Sequence, residues 1–142
     1  MNARHIERAS PQTIFAYLVD PAKFIEWMGT EVSPDPVPGG EFRVMCGGFN
    51  PSAGEFLEVI PNEKVVFTFG WDLPDHPIPA GSTQVEITLT PQGDTTLLRL
   101  VHRGLPADAI GDHLRGWTYY IGRLEKALNG VDPGPDEPTL EG

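Results

Sequence analysis

His102 ends the run "TTLLRLVH", where alternation puts it on one face with Thr96, Leu98 and Leu100. An imidazole at the edge of an apolar face can exchange a hydrogen bond with a ligand or act as a general base. It can also bond a backbone group and tie the strand to the "GLP" turn. A lone histidine is not a catalytic constellation, so the second use is favoured. Glu58, in "FLEVI", shares a face with Phe56 and Ile60. Pointing inward it would need a partner such as Arg43; an ion pair or simple exposure on the outer face is the preferred reading. Asp72, Asp75 and His76 fall in "WDLPDHPIPAGS", a long connection expected to form a mobile, proline-stiffened rim. Without a second cluster at ligand spacing they predict no metal site. Trp117 and Tyr120 could stack on a flat ligand or serve as aromatic core. Cys46 reads as a small buried hydrophobe, and Trp27 as a core anchor. The chain has no Gly-rich phosphate loop, G-x-S-x-G, H-E-x-x-H or C-x-x-C. No cofactor is expected.

These residues need elements to hold them. Asn2 to Arg8 reads as a first strand. Ser10 and Pro11 start a helix with Ile14, Phe15 and Leu18 on one face. Asp20 and Pro21 repeat the signal for a second short helix carrying Phe24, Trp27 and Met28, and Gly29 ends it. After the turn-rich Thr30 to Gly40, the hydrophobic period changes from helical to alternating. Strands are predicted at Glu41 to Cys46, Gly54 to Ile60, Lys64 to Trp71, Thr83 to Thr90 and Thr95 to Arg103. Their short links favour an antiparallel meander. A long helix comes last, from about Ala107 to Leu128, with His113, Leu114, Trp117, Tyr120, Ile121 and Leu124 in its apolar stripe. Gly116 and Gly122 interrupt that helix, where glycine costs about 1 kcal/mol relative to alanine. Both are read as points of close approach to the sheet. The class is α+β, with a cavity between sheet and helix. The domain is placed at residues 1–129, with an acidic, Pro/Gly-rich tail at 130–142 expected to be disordered.

The chain has 142 residues and a formal net charge of −10, with only 10 Lys and Arg. Phosphate backbones and anionic membranes select for clustered cations, so neither nucleic acid nor a membrane surface is an expected partner. The single cysteine excludes an internal disulfide. The N-terminus lacks the apolar stretch of a signal peptide, and no segment has the apolar length of a membrane span. The expected location is cytoplasmic.

The order of motifs carries a resemblance. "ASPQTIFAYLVDPAKFIEWMG", "PGGEFRV", "GEFLEVIPNEKVVFTFGW", "GDTTLLRLVHRGLP" and "HLRGWTYYIGRLEKAL" succeed one another along the chain. The series resembles the START-like, or SRPBCC, superfamily, in the branch related to the C-terminal domain of the activator of the heat-shock-protein-90 ATPase. It covers roughly residues 5 to 128. Each motif alone is weak; five in order are specific. The resemblance implies a helix-grip fold: a curved antiparallel sheet of about six strands around a long C-terminal helix, with two short helices after the first strand. It also implies a superfamily of diverse functions, including lipid, hormone and polyketide binding and some cyclases. The co-chaperone role is not carried over, since no counterpart of the eukaryotic activator's N-terminal domain is seen.

The leading expectation is a binding module that takes a small apolar molecule, aromatic or not. Phe67, Phe69, Trp71, Leu100, His102, Trp117 and Tyr120 are its expected lining. The alternatives are a cyclase- or hydratase-type enzyme on a polyketide-like substrate, with His102 the weak catalytic candidate, and a stress-related protein-interaction module. A homodimer is compatible with the resemblance.

Overall fold

The computed structural model describes residues 2–7, 9–29, 31–32, 35–46, 50–134 and 136. Among these residues seven strands form one sheet: β1 (Asn2–Glu7), β2 (Glu31–Val32), β3 (Glu41–Cys46), β4 (Asn50–Ile60), β5 (Lys64–Phe69), β6 (Thr83–Gln92) and β7 (Thr95–Arg103). Their order is β1-β7-β6-β5-β4-β3-β2, and every pairing is antiparallel. The meander from β3 to β7 keeps the order of the sequence. β1 closes the far edge by pairing with β7, so Asn2 faces Leu100.

Among the described residues, three α-helices form where start signals or the apolar stripe predict them. α1 (Pro11–Val19) is capped by Ser10, whose hydroxyl accepts from the Thr13 amide at 3.1 Å. It buries Ile14, Phe15 and Leu18. Asp20 caps α2 (Pro21–Phe24) by accepting from Ala22. α2 is only one turn, shorter than expected, yet the turn after it still buries Trp27 and Met28. Trp27 donates its indole N–H to the Tyr17 carbonyl at 2.8 Å, pinning that turn to α1. α3 (Ile110–Leu128) continues from a 3₁₀ turn at Ala107–Ala109 and buries one face, including Trp117, Tyr120, Ile121 and Leu124.

The sheet's inner face is an alternating series. Phe42, Val44 and Cys46 come from β3, Val65, Phe67 and Phe69 from β5, Val85, Ile87 and Leu89 from β6, and Leu98 and Leu100 from β7; all are buried. Register aligns them: Phe67 faces Val85, and Ile87 faces Leu100. β4 departs from strict alternation. A register shift between Phe56 and Glu58 turns Phe56 into the core and leaves the Glu58 side chain half-exposed. Glu58 pairs with Lys64 at 3.2 Å rather than Arg43, which pairs with Glu41 and Asp72.

Several boundaries differ from expectation. The sheet has seven strands because the turn-rich Thr30 to Gly40 contains the two-residue β2 against β3. β4 starts at Asn50, with Pro51 opposite Met45, where turn chemistry had suggested a loop to Ala53. β5 ends at Phe69, and Trp71 makes isolated bridges to Ser52 and Pro79. The expected end of the first strand at Arg8 lies outside the described residues.

The end of α3 sets the path of the last segment. Gly130 takes φ +74, and the Gly130 and Val131 amides bond back to the Ala127 and Lys126 carbonyls. This paired closure needs a left-handed residue after the cap, which glycine supplies without strain. The chain then doubles back along the helix. The segment from residue 130 was expected to be a disordered tail; among its described residues, Asp136 is buried, only 7% exposed. Hydrogen bonds from Gly29 and Tyr120 hold that carboxylate. Residues 137–142 of the expected tail lie outside the described set.

Candidate functional site

A cavity of about 290 Å³ lies between the sheet and α3. The sheet contributes Cys46, Asn50, Phe69 and Trp71; α3 contributes Asp112, His113, Gly116, Trp117 and Tyr120; Met28 closes one side. Asn50 and Asp112 are exposed and mark the mouth. Gly116 is buried and presents no side chain to this space. Gly122 does something else: a Cβ built there meets nothing within 4 Å. Gly122 therefore has no close-packing role, and at Gly116 the missing side chain opens onto the cavity.

Two tryptophan–histidine pairs define the chemistry. Trp117 Nε1 donates to His102 Nδ1 at 3.0 Å. Indole nitrogen is only a donor, so Nδ1 is the acceptor and the His102 proton sits on Nε2. That N–H donates to Thr83 Oγ1 at 2.8 Å, and Thr83 donates to the Phe69 carbonyl at 2.7 Å. The chain of donors closes on the backbone. Protonating Nδ1 would set N–H against N–H. Burial, then the nearby His113, push the His102 pKa down to about 3. His102 is therefore neutral at ordinary pH, with both nitrogens engaged.

The second pair is a mirror of the first in logic. Trp71 Nε1 donates to His113 Nε2 at 3.2 Å, so His113 carries its proton on Nδ1 and gives it to the Ala109 carbonyl at 2.9 Å. The two imidazoles meet edge to face at 5.4 Å, and Phe69 packs against His102, Trp71 and Trp117. The cavity wall is thus a set of rings fixed by one another's nitrogens.

The remaining polar groups are quiet. Burial pushes the Cys46 thiol up to about 12, outweighing hydrogen bonds with Tyr120 and Ser52 that act the other way. A thiol at that value is no nucleophile near neutral pH. Burial likewise pushes the Tyr120 phenol up, helped by Cys46 and the Asp136 charge. Asp112 is paired with Arg115.

Of the seven residues expected to line a site, Phe69, Trp71, Trp117 and Tyr120 do so. Phe67 and Leu100 do not. Phe67 stacks on Phe42 at 4.1 Å and Leu100 is 1% exposed, so both are filled core. His102 stands behind the wall, holding Trp117. The Trp71–Thr83 connection is not a rim: Trp71 N–H bonds Ile78, Asp72 N–H bonds Pro51, Ile78 is buried, and the His76 ring accepts from Ile78. None of its residues from 72 to 82 lines the cavity. Asp72, Asp75 and His76 come to no shared centre; among the described residues, no group of three or more His, Cys, Asp or Glu could hold a metal.

Comparison with known proteins places the chain. Residues 8–129 match the family described as Activator of Hsp90 ATPase homolog 1-like protein. The chain belongs to this family. Its helix-grip fold is that of the START-like superfamily. An AHSA1-like protein from Rhizobium etli, solved in solution, is 41% identical, with a TM-score of 0.69 over 95% of this chain and 85% of that one. DynU16, from the dynemicin biosynthetic locus, is 23% identical with a TM-score of 0.80; it matches 96% of this chain, which spans 50% of the DynU16 chain. The Aha1 dimer of Colwellia psychrerythraea is 21% identical with a TM-score of 0.73, over 89% of this chain and 93% of that one. Among curated proteins none matches. No helix among the described residues is long and apolar enough to cross a membrane.

Sequence reasoning missed Met28, Cys46, Asn50, Asp112, His113 and Gly116 as lining of this AHSA1-like domain. His113 and Trp117 sit at i and i+4, a spacing that shares one helix face, so their pairing on one wall was available. Cys46 continues the alternation of Phe42 and Val44. No local signal marks Asn50, inside a strand opening on "NPS".

Proposed function

We propose that this AHSA1-like protein binds a small, flat apolar molecule between the sheet and α3. The observation that carries this is a cavity walled by Phe69, Trp71, Trp117 and Tyr120, with polar groups held at its edge. Apolar walls with a few placed polar groups describe ligand sites in general, and about 290 Å³ is at the small end of their range. The walls are preorganised, because each tryptophan is fixed by a histidine, so little ordering opposes binding.

The same geometry weighs against turnover by His102. Its two nitrogens are engaged, and it stays neutral down to about pH 3. It positions Trp117; it does not meet a reacting atom. Self-association is a secondary proposal, prompted by the dimer solved for the Colwellia relative, and light scattering tests it.

Native mass spectrometry against the denatured mass tests the binding reading. A small-molecule adduct lost on denaturation and reduced in Trp71→Ala supports it. An adduct that survives Trp71→Ala undiminished puts the ligand elsewhere and refutes it.

A further inference from the structure

Asp136 is the one buried residue in the described part of the segment after α3; Val131, Asp132 and Gly134 are exposed. Its Oδ2 accepts from the Gly29 amide at 2.8 Å and the Tyr120 hydroxyl at 3.0 Å, and Oδ1 accepts from the Tyr119 hydroxyl at 3.4 Å. These donors come from the turn after α2 and from α3, far from residue 136 in sequence. Gly29 takes φ +85, and a Cβ built there would run into the Val44 side chain. Arg123, the only cation among the described residues lining the groove under the segment, donates to the Trp27 and Pro133 carbonyls. A backbone amide, two phenols and a nearby guanidinium are a carboxylate receptor in kind. Tyr120 belongs to this receptor and to the cavity wall, and Met28 of the cavity adjoins Gly29.

We infer that Gly29, Tyr119 and Tyr120 form a carboxylate-recognition site which the chain's own Asp136 occupies, and that a small organic acid takes the place of Asp136 with its body toward the aromatic cavity. The first half stands on the Asp136 contacts alone; the second rests on the proposed function. The segment acts as a built-in competitor, with Val131, Asp132 and Gly134 exposed and Asp136 buried, fastened by the helix end and by Arg123. Local contacts of this size open and close readily.

Acetate tests the receptor without involving the cavity. In full-length Asp136→Ala, acetate raises Tm by about 3 °C over matched chloride, while the wild type does not respond. A folded Asp136→Ala protein indifferent to acetate overturns the inference. If that variant does not fold, Asp136→Asn keeps the shape: its Gly29 amide resonance shifts saturably with acetate, and an unmoved resonance overturns the inference equally. Benzoate and benzyl alcohol then separate the two halves. Benzoate binding about tenfold tighter to the variant than to wild type, with benzyl alcohol unchanged, supports both. Equal benzoate affinity removes the second half. Failure of benzyl alcohol to bind either protein refutes the cavity reading and leaves the acetate result intact.

Discussion

Two aromatic clusters share the inner face of the sheet, and they differ in kind. Around Phe42 the rings of Phe24, Phe56 and Phe67 pack at 4.1–6.1 Å with only hydrocarbon between them. Around Phe69, which touches the first cluster through Phe42 at 6.3 Å, the other neighbours are Trp71, His102 and Trp117, and every ring nitrogen has a fixed partner. The first cluster is free to collapse, and it fills its space. The second is fixed by directional bonds, Gly116 supplies no side chain to fill the space beside it, and a cavity remains. Hydrocarbon packing and hydrogen-bonded walls are two uses of one sheet face: a filled core at one end, a cavity at the other.

The largest expected break in this comparison is in the filled end. Phe42→Ala should lower the unfolding free energy by about 3–5 kcal/mol, read by urea denaturation, with probe affinity at the cavity little changed in the folded fraction. The hydrogen-bonded end should instead respond to acid. His102 has a folded pKa near 3 against an ordinary 6.5, so below pH 6.5 the unfolded chain takes up a proton that the folded one refuses. Its contribution is complete above that pH and falls toward pH 3 by at most about 1.4 kcal/mol per pH unit. His102→Gln should flatten this part of the stability–pH curve; an unchanged slope would assign it to other groups. Trp117→Phe keeps an aromatic ring, though a smaller one, and removes the donor to His102, at a cost of about 1–3 kcal/mol by denaturation. The smallest effect sharpens the glycine contrast. Gly122→Ala meets open space and should stabilise α3 by about 0.5–1 kcal/mol in thermal melts.

Much of the fold was legible because two periodicities are clean. Alternation in "VVFTF" and "VEITL" put Val65, Phe67, Phe69, Val85 and Ile87 inside, and α3 carries a continuous stripe. Capping chemistry at Ser10 and Asp20 marked two helix starts. The candidate site was legible only in part, for a physical reason. Periodicity says which face a residue occupies, and Phe67 and Phe69 occupy the same one. Whether that part of the face is filled or hollow depends on who meets whom across the fold. The Trp71–His113 bond joins residues 42 apart, and the Asp136–Gly29 bond residues 107 apart. No local pattern encodes either. At the β4 bulge Glu58 lies outward in an ion pair, as its preferred reading had it, and only the partner, Lys64, was not legible.

The three tryptophans offer the most direct test. Trp71 and Trp117 wall the cavity, while Trp27 is buried in the core with its N–H on the Tyr17 carbonyl. Their indole N–H resonances can be tracked separately by NMR during titration with a small aromatic probe such as benzyl alcohol. The account expects saturable shifts at Trp71 and Trp117 and a still signal at Trp27. Saturable binding that leaves Trp71 and Trp117 unmoved, or no binding up to the probe's solubility, would contradict it.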